Sequence, residues 1–481
     1  MSIHVYGGLL ALGCALLSLG SFFLDPTAVF YEVILLLALL LSMGVVYVFA
    51  IRLVLLKKSS SLNAILAWGI LFRLLLIPSR PILETDWNRY LWDGFVLSHG
   101  LNPYQYPPAA FQSLLQDENP ESSPPIALQN FRSLLQPNER AQVLLAAINH
   151  PELNTIYPPL TQILFGGTAV LFPLSFYAWR GVILLFDAVL AACLVMLLLS
   201  VQQDPARVVL YAWSPLILKE YINTLHFDLI ALAFLFAGVL LYASRHRIRS
   251  ALAWAAALLI KVFPLVLLPF WFNRGEKKYL AATAGATLLV ALPFCGVTRE
   301  GFHGLAVFGC LWESNSSLVA GLEKLYEWFG IPAWNEGRTL FTFTGVEYAW
   351  NAFLAAKATA ALIALIGIGA LFYRMTRHSA PALEQRLKST FIATGILLLC
   401  SPVANPWYIA WIVPFLCFFP QKSWIYLSQS CLLYYSFFLL TPWGYPPGIR
   451  ELEYLPFFIM WMMEIWKECQ SSPLQLDILP D

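Results

Sequence analysis

An acidic and aromatic segment follows the third apolar stretch of the chain. It runs from Glu84 to Gly94 and holds three carboxylates, one arginine and three aromatic rings. A helix would place four of its side chains on one face, at spacings of three and four residues: Asp86, Arg89, Tyr90 and Asp93. An aspartate in this position could accept a proton from a hydroxyl group. The alternative is an amphipathic helix at a membrane surface, in which the Asp–Arg pair is structural.

Lys261 is a lone cation in the otherwise apolar stretch 250–272. Pro264 stops a regular helix there, and the freed backbone groups must find partners in a protein-lined cavity. A lysine at such a break suits a phosphate, because its ammonium group is a compact positive charge. The alternative is an internal partner for a buried carboxylate such as Asp187.

His226 and Asp228 lie two residues apart at another junction between apolar stretches. Side chains with this spacing diverge on a regular helix, so both could face one site only if a helix begins about there. The alternative for Asp228 is a capping role at that helix.

Aromatic side chains accompany turn-forming residues in three further segments: Tyr104, Tyr157, Trp407 and Tyr408. Asn405 and Pro406 favour a turn that would direct the last two rings towards a common space. Such rings could stack on a sugar. The alternative is a belt of aromatic residues at a membrane interface.

The composition shows which elements must position these residues. Hydrophobic residues make up 59% of the 481 and charged residues only 12%, whereas soluble proteins have about 25% charged residues. So much apolar surface requires a bilayer. The net charge of +1 gives no indication of nucleic-acid binding. The eight cysteines lack metal or redox spacing and are interpreted as small hydrophobic residues. Phosphate-loop, dinucleotide, zinc and nucleophile-elbow patterns do not occur.

Hydropathy predicts an all-α, polytopic transmembrane helix bundle of about 12–14 spans. The clear spans are 6–24, 31–56, 61–79, 179–201, 207–222, 226–243, 279–297, 350–373, 390–402, 404–420, 423–440 and 453–467. We expect one membrane-embedded domain over 1–481, divided into N-terminal spans 1–79, a large first outer loop of juxtamembrane helices 80–156, core spans 157–297, an outer loop 298–349 and C-terminal spans 350–481.

Basic residues orient the bundle, because short cytoplasmic loops are rich in them. The basic loops are Arg52/Lys57/Lys58, Arg245/Arg247/Arg249, Arg274/Lys277/Lys278 and Arg374/Arg377 with Arg386/Lys388. With all of them inside, 80–156 and 298–349 face outside. The stretch 157–174 is then interfacial or re-entrant, and 250–272 forms two half-helices that meet at Lys261.

Six short motifs follow one another between residues 80 and 410: Asp86…Arg89-Tyr90…Trp92-Asp93-Gly94, Gly100-x-Asn102-Pro103-Tyr104, Tyr157-Pro158-Pro159-Leu160, His226-x-Asp228, Lys261-x-Phe263-Pro264 and Pro406-Trp407-Tyr408. In this order they resemble the integral-membrane glycosyltransferases of the GT-C class. The resemblance is strongest to bacterial mannosyltransferase-type members and more distant to the catalytic mannosyltransferase of GPI-anchor synthesis. Asn405 stands where such proteins usually have a histidine.

The resemblance implies an inverting hexosyltransferase, with mannose as the expected sugar, that uses a polyprenyl-phosphate donor on the non-cytoplasmic face. It implies that an acidic residue of the first outer loop is the general base. Asp86 is the expected base, because Glu84-x-Asp86 matches the paired acidic residues of the class. We expect Lys261, Arg89 and His226 to bind the donor phosphate. The expected substrate-binding residues are Glu84, Asp93, Tyr104, Tyr157, Asp228, Asn405, Trp407 and Tyr408.

The same resemblance leaves a divalent cation open, since some members use one, and implies no other cofactor. The expected partners are the lipid-linked donor, a glycan, lipid or protein acceptor, and membrane lipids, without nucleic acid. The expected location is a bacterial cytoplasmic membrane, with the site facing outside. Two other functions remain open from the residues: a transporter or lipid flippase, which would suit intramembrane charges and a broken helix, and a non-catalytic scaffold.

Overall fold

The structure is a computed structural model that describes residues 2–23, 30–56, 61–116, 125–272, 274–294, 303–343, 346–377, 381–440 and 444–471. Lys57 and Lys58, which belong to a predicted cytoplasmic loop, lie outside these residues.

The first half of the chain consists of helices. Their bounds are α1 (Ile3–Gly20), α2 (Phe30–Leu55), α3 (Leu62–Leu76), α4 (Asp86–Ser98), α5 (Pro108–Gln116), α6 (Ile126–Leu135), α7 (Glu139–Ala146), α8 (Pro159–Leu171), α9 (Phe176–Ser200), α10 (Val209–Ala212), α11 (Pro215–Ile217), a π-helix (Leu218–Asn223), α12 (Asp228–Ala243) and α13 (Arg247–Ile260).

The second half adds one small antiparallel hairpin to further helices. The elements are α14 (Pro264–Leu267), α15 (Lys277–Ala291), α16 (His303–Leu311), α17 (Leu318–Trp328), β1 (Arg338–Phe343), β2 (Val346–Trp350), α18 (Ala352–Thr376), α19 (Leu383–Cys400), α20 (Pro406–Ile409), α21 (Val413–Leu416), α22 (Lys422–Ser430) and α23 (Ile449–Ser471). Short 3-10 helices occupy Pro205–Val208, Leu268–Phe270, Arg274–Glu276, Leu292–Phe294, Trp334–Glu336, Ala410–Ile412 and Cys431–Leu439.

The predicted all-α polytopic bundle is confirmed, but its spans are less regular than hydropathy suggested. Within the described residues, four helices are long and apolar enough to cross a membrane unbroken: α1, α2, α9 and α18. The segments 215–223 and 228–243 make a fifth only if their 115° bend is counted within one span. The predicted spans 404–420 and 423–440 are instead broken, the first at prolines and the second where α22 passes into a 3-10 helix. The expected 12–14 spans therefore do not correspond to as many uninterrupted helices.

The stretches 157–174 and 250–272, which were not predicted to be full spans, contain short helices. α13 ends at Ile260, and Lys261 has an extended backbone (φ −148°, ψ 144°), so the break predicted from the lysine and proline is confirmed. α8 has 13 residues, which corresponds to about 20 Å, whereas a bilayer core is about 30 Å thick. α8 packs closely on α4, because Gly94 has no Cβ and lies against the backbone of Phe165. The side of the membrane on which either stretch lies stays a prediction, as does the division of the chain into segments.

Candidate functional site

Asp86 is the first residue of α4 and lies in the wall of a cavity of about 770 Å³. Leu83, shortly before it, has a positive φ of 54°, which is rare for a residue other than glycine and turns the chain into the helix. The Asp86 side chain is 36% exposed. The helical segment predicted from Glu84 to Gly94 therefore begins at Asp86, with this carboxylate facing the cavity.

Residues from distant parts of the sequence line this cavity. They are Thr85, Asp86, Arg89, Tyr90, Asn149, His150, Leu153, Asn154, Thr155, Ile156, Tyr157, Lys261, Gly304, Phe308, Trp312, Asn405, Trp407 and Tyr408. Seven residues of the predicted site belong to this wall: Asp86, Arg89, Tyr157, Lys261, Asn405, Trp407 and Tyr408. The predicted residues Glu84, Asp93, Tyr104, His226 and Asp228 lie behind it.

Lys261 reaches the cavity from the break after α13. Its Nζ lies 3.2 Å from Oδ1 of Asp228, the first residue of α12, and close to the rings of Phe227 and Tyr408. The indole N–H of Trp411 donates to the same carboxylate oxygen at 3.0 Å. Asp228 therefore orients Lys261 rather than lining the cavity. The alternative interpretation, in which Lys261 is the internal partner of a buried carboxylate, is thus confirmed with Asp228, whereas Asp187, the example given for it, pairs with Arg73.

Arg89 and Asp93 form an ion pair at 2.8 Å along α4. Arg89 also donates to the carbonyl of Leu153 at 3.0 Å, and Gln162 donates to Asp93 at 3.0 Å. The buried Asp93 carboxylate thus joins α4 to α8 through Gln162, and Arg89 joins α4 to the segment that precedes α8 through Leu153. The structural Asp–Arg pair that the sequence left open is present, while Arg89 still reaches the cavity wall.

His226 lies behind Asp86. Its side chain is fully buried, its Nε2 is 4.0 Å from Oδ2 of Asp86, and its ring stacks on Trp407 with centroids 4.1 Å apart. Direct contact with a phosphate in the cavity, which the sequence led us to expect, does not fit this position, because the ring is screened by Trp407 and Asp86.

Tyr104 and Glu84 also support the site from behind. The Tyr104 hydroxyl donates to the carbonyl of Tyr157, and Asn154 donates to the carbonyl of Tyr104 at 2.9 Å. Burial, followed by the nearby Asp86 carboxylate and Glu220, holds the pKa of Glu84 well above its usual range. Both effects favour the neutral form of Glu84 next to Asp86, whereas the positive charge of Lys219 favours the ionised form.

Asp86 has a raised pKa. The largest cause is the loss of solvent around the partly buried carboxyl group in the cavity wall, and the neighbouring Asp228 carboxylate adds to it. The positive charges of Lys261 and Arg89 act in the opposite direction and lower the pKa of Asp86. A carboxylate of this kind is a stronger proton acceptor than an exposed aspartate.

Several wall residues carried no recognisable signal in the sequence. Asn149 and His150 follow α7, and Asn149 donates to the hydroxyl of Thr85 beside the base. Trp312, just after α16, packs on His150 with ring centroids 5.1 Å apart. The segment around α16, which the sequence predicted to lie in an outer loop, therefore contributes to the cavity wall, and no motif indicated this contact. A motif search weighs residues near one another in sequence, and this contact joins segments about 160 residues apart.

An apolar groove of about 1710 Å³ adjoins the cavity. It runs along α18, α19 and the segment 262–266, and it shares five lining residues with the cavity: Ile156, Tyr157, Lys261, Phe308 and Tyr408. Lys261 and the two tyrosines thus lie where the polar cavity meets the apolar groove. The arrangement could place a charged headgroup at Lys261 and a hydrocarbon chain along the groove.

Some side chains in the described part of the chain are of types that could bind a divalent cation. Within the described ranges, no three His, Cys, Asp or Glu side chains are grouped closely enough to hold a metal ion. Such a site usually needs several oxygen ligands, and Asp93 and Asp228 are already engaged in ion pairs. We therefore derive no step through a metal.

One protein family matches the chain. Residues 154–273 match the family described as alpha-(1->6)-mannopyranosyltransferase, N-terminal domain. The match covers about a quarter of the chain and includes Tyr157, His226, Asp228 and Lys261, but not Asp86. It supports a mannosyltransferase-like glycosyltransferase in a multi-pass membrane protein. No curated protein and no solved structure matches the chain.

Proposed function

We propose that this protein transfers a hexose, with mannose as the expected sugar, from a polyprenyl-phosphate donor to a hydroxyl group of an acceptor. The acceptor is a glycan, lipid or protein on the non-cytoplasmic face of a bacterial cytoplasmic membrane. Asp86 is the general base, and the reaction inverts the anomeric carbon.

One observation carries this proposal: Asp86 and Lys261 line the same cavity, and Lys261 stands where that cavity opens into the apolar groove. A lipid-linked sugar phosphate has the same sequence of chemical groups, namely hydrocarbon, anionic phosphate and polar sugar. With the chain in the groove and the phosphate at Lys261, the sugar lies in the cavity near Asp86. A donor delivered through the bilayer also needs no soluble nucleotide site.

The reaction is a single displacement. The acceptor oxygen forms a bond to the anomeric carbon while the bond from that carbon to the phosphate oxygen breaks, and the electron pair leaves with the phosphate. Asp86 takes the proton of the acceptor hydroxyl. The Lys261 ammonium group, with Arg89 further along the wall, stabilises the charge that develops on the leaving phosphate. Tyr157, Trp407 and Tyr408 form the aromatic wall against which the sugar lies.

Asp86→Asn tests the base. The change keeps the size of the side chain and its place at the start of α4, so we expect a folded protein that binds donor but loses at least about a hundredfold in transfer. A strain that lacks the protein is complemented with the wild type or the variant, and its envelope glycans and lipids are compared by mass spectrometry. The wild type should restore a missing hexose, and Asp86→Asn should not.

The matched control is Glu152→Gln. It makes the same charge change near the mouth of the cavity, but Glu152 is exposed and pairs only with His150. This variant should restore the hexose like the wild type. Full restoration by Asp86→Asn would refute the assignment of the base, and a deletion strain with unaltered glycans and lipids would refute the proposed transfer.

A further inference from the structure

His226 presents an unused hydrogen-bond acceptor to the proposed base. Its side chain is fully buried, and its Nε2 has no hydrogen-bond partner among the residues that the structure describes. Oδ2 of Asp86 lies 4.0 Å from this Nε2, whereas Oε2 of Glu220 lies 3.5 Å from the other ring nitrogen, Nδ1. Buried polar atoms are nearly always paired, so an unpaired one beside a catalytic group calls for an explanation.

The other ring nitrogen identifies the tautomer. Nδ1 of His226 lies 3.0 Å from the backbone carbonyl oxygen of Glu220. A carbonyl oxygen can only accept a hydrogen bond, so Nδ1 carries the proton. Charging a fully buried imidazole would be costly. The ring is therefore neutral, and the lone pair of Nε2 faces Asp86.

The surrounding backbone holds the ring in this orientation. The π-helix 218–223 precedes His226, and Leu225 between them has a positive φ of 68°. Both conformations are uncommon and concentrate at functional sites. The ring is further held by stacking on Trp407, and Thr224 lies 3.1 Å from Nδ1. The orientation of the His226 ring is thus set by the segment 218–225 and by Trp407, and it does not depend on Asp86.

An ionised Asp86 and a bare Nε2 gain nothing from each other, because both are acceptors. The situation changes when Asp86 takes a proton, since a carboxylic acid O–H can then donate to Nε2 once the carboxyl group has moved about 1 Å closer than the 4.0 Å seen in the structure. Such an interaction forms only as the proton is transferred, and interactions of this kind speed a reaction rather than merely tighten binding.

We propose that His226 is a positioning residue for the base, and that its Nε2 accepts a hydrogen bond from the Asp86 carboxylic acid formed during transfer. This inference rests on the proposed function. The acceptor O–H bond breaks and an O–H bond forms on Asp86. The proton stays there, and His226 remains neutral throughout the step.

Other charged and titratable groups surround Asp86 and are unchanged when His226 is replaced. They are Glu84 before α4, Arg89 and Tyr90 on α4, His150 after α7, Tyr157 before α8, Glu220 and Asp228 flanking His226, Lys261 after α13 and Tyr408 on α20. His226 also lies 3.5 Å from the Glu220 carboxylate through Nδ1, so a change in the pH dependence of transfer is attributable to the Nε2 contact when His226→Asn produces it and His226→Gln reverses it.

The test compares His226→Asn with His226→Gln. An Asn amide can take the place of Nδ1 and keep the bond to Glu220, but it leaves nothing opposite Asp86. A Gln amide reaches the place of Nε2 and can present its oxygen to Asp86. Transfer is measured against pH with saturating polyprenyl-phosphate mannose, using the membrane and envelope fraction of the deletion strain, which contains its lipids, glycans and proteins, as acceptor.

We expect His226→Asn to lower kcat about three- to tenfold, which is the worth of one hydrogen bond. Without the acceptor, protonated Asp86 is less stable, so its pKa falls and the base form survives to lower pH. The acid limb of the kcat profile should move down by up to about one pH unit. His226→Gln should restore much of both changes.

A purely structural role would lower kcat at all pH values without moving the acid limb, and that result in folded His226→Asn would overturn the proposal. If this variant does not fold, His226→Met fills a similar volume without an acceptor, and the same shift is expected of it. If the acid limb of the kcat profile does not move in His226→Met, the proposal is overturned as well. Asp86→Asn is assayed in parallel: if it retains transfer, the proposed base is wrong, whereas its inactivity with an unmoved limb in the His226 variants refutes only the role of His226.

Discussion

Two buried ion pairs of this protein look alike in sequence but differ in what surrounds them. Arg73 on α3 pairs with Asp187 on α9, and Lys261 after α13 pairs with Asp228 on α12. In each pair, a single cation from an apolar stretch contacts an aspartate. Asp187 lies within α9, and Asp228 is the first residue of α12. One pair is saturated with hydrogen bonds, and the other is not.

In the first pair, four hydrogen bonds engage all three side-chain nitrogens of Arg73. Arg73 contacts Asp187 through two nitrogens and donates to the backbone carbonyls of Gly69 and Ala212. The Tyr211 hydroxyl donates to Asp187 as well, at 2.6 Å. A ligand has nothing left to bind here, so this pair serves to join α3, α9 and α10.

The second pair is incomplete. Lys261 has three N–H donors, and in the described part of the chain its polar contact is with Oδ1 of Asp228. Oδ2 of Asp228 is buried without a hydrogen-bond partner there. The lysine also lines the cavity and the groove. The difference teaches that an intramembrane charge indicates a ligand site when its own partners leave it unsaturated and it borders a cavity.

Breaking the saturated pair should have the largest effect on stability. Arg73→Leu leaves the Asp187 charge buried without its partner, which costs about 3–5 kcal/mol. We expect a clear fall in the thermal unfolding midpoint of the purified protein, with transfer per folded molecule unchanged. The double variant Arg73→Leu/Asp187→Leu removes both charges and should recover most of the loss. An unchanged midpoint in the single variant would contradict the structural role of this pair.

Replacing the lysine of the incomplete pair should affect the donor rather than the fold. Lys261→Met keeps the length of the side chain and removes its charge, so we expect the KM for the polyprenyl-phosphate donor to rise about 10- to 100-fold, the worth of one or two charge-assisted hydrogen bonds. The loss of stability should be smaller than for Arg73→Leu, because Lys261 borders the cavity and water can take the place of its ammonium group beside Asp228. Lys388→Met is the control. Lys388 is half-exposed near the start of α19, whereas the apolar groove borders the end of that helix. Equal KM values for Lys261→Met and wild type would place Lys261 with the structural pair.

The pH dependence of transfer should also respond to the Lys261–Asp228 pair, because both charges act on the pKa of Asp86. Because the pKa of Asp86 is raised, chiefly by burial, its base form is lost as the pH falls through a value above that of an ordinary aspartate. Lys261 lowers the pKa of Asp86 and Asp228 raises it. Lys261→Met should therefore move the acid limb of kcat/KM to higher pH, and Asp228→Asn should move it to lower pH, each by about one unit. Shifts in the same direction for both variants would contradict this arrangement.

The smallest effect is expected from the hydrogen bond that supports Asp228. Trp411→Phe removes the indole N–H but keeps an aromatic ring against Phe263, on which Trp411 stacks at 3.9 Å. One neutral donor to a carboxylate that keeps its lysine should be worth about threefold in donor KM. A larger loss than for Lys261→Met would mean that Trp411 contacts the donor itself.

Local sequence determined the features that depend on a few neighbouring residues. The bounds of α1, α2, α9 and α18 follow from long apolar stretches, since each helix satisfies its own backbone in a bilayer. The end of α13 at Ile260 follows from Pro264, and the start of α4 near Asp86 follows from its spacing of polar residues. The assignment of Asp86 as the base came from the family resemblance and stays a prediction.

Tertiary structure decided which of these residues meet. Lys261 pairs with Asp228 rather than Asp187, His226 is buried behind Asp86, and Asp93 is used within the fold. Trp312 joins the wall because α16 folds over the segment after α7. Ion pairs, burial and cavity walls depend on distances between segments far apart in the chain. The sequence shows which residue types are present, but only the packing of the helices brings them within the few ångströms over which hydrogen bonds and charges act.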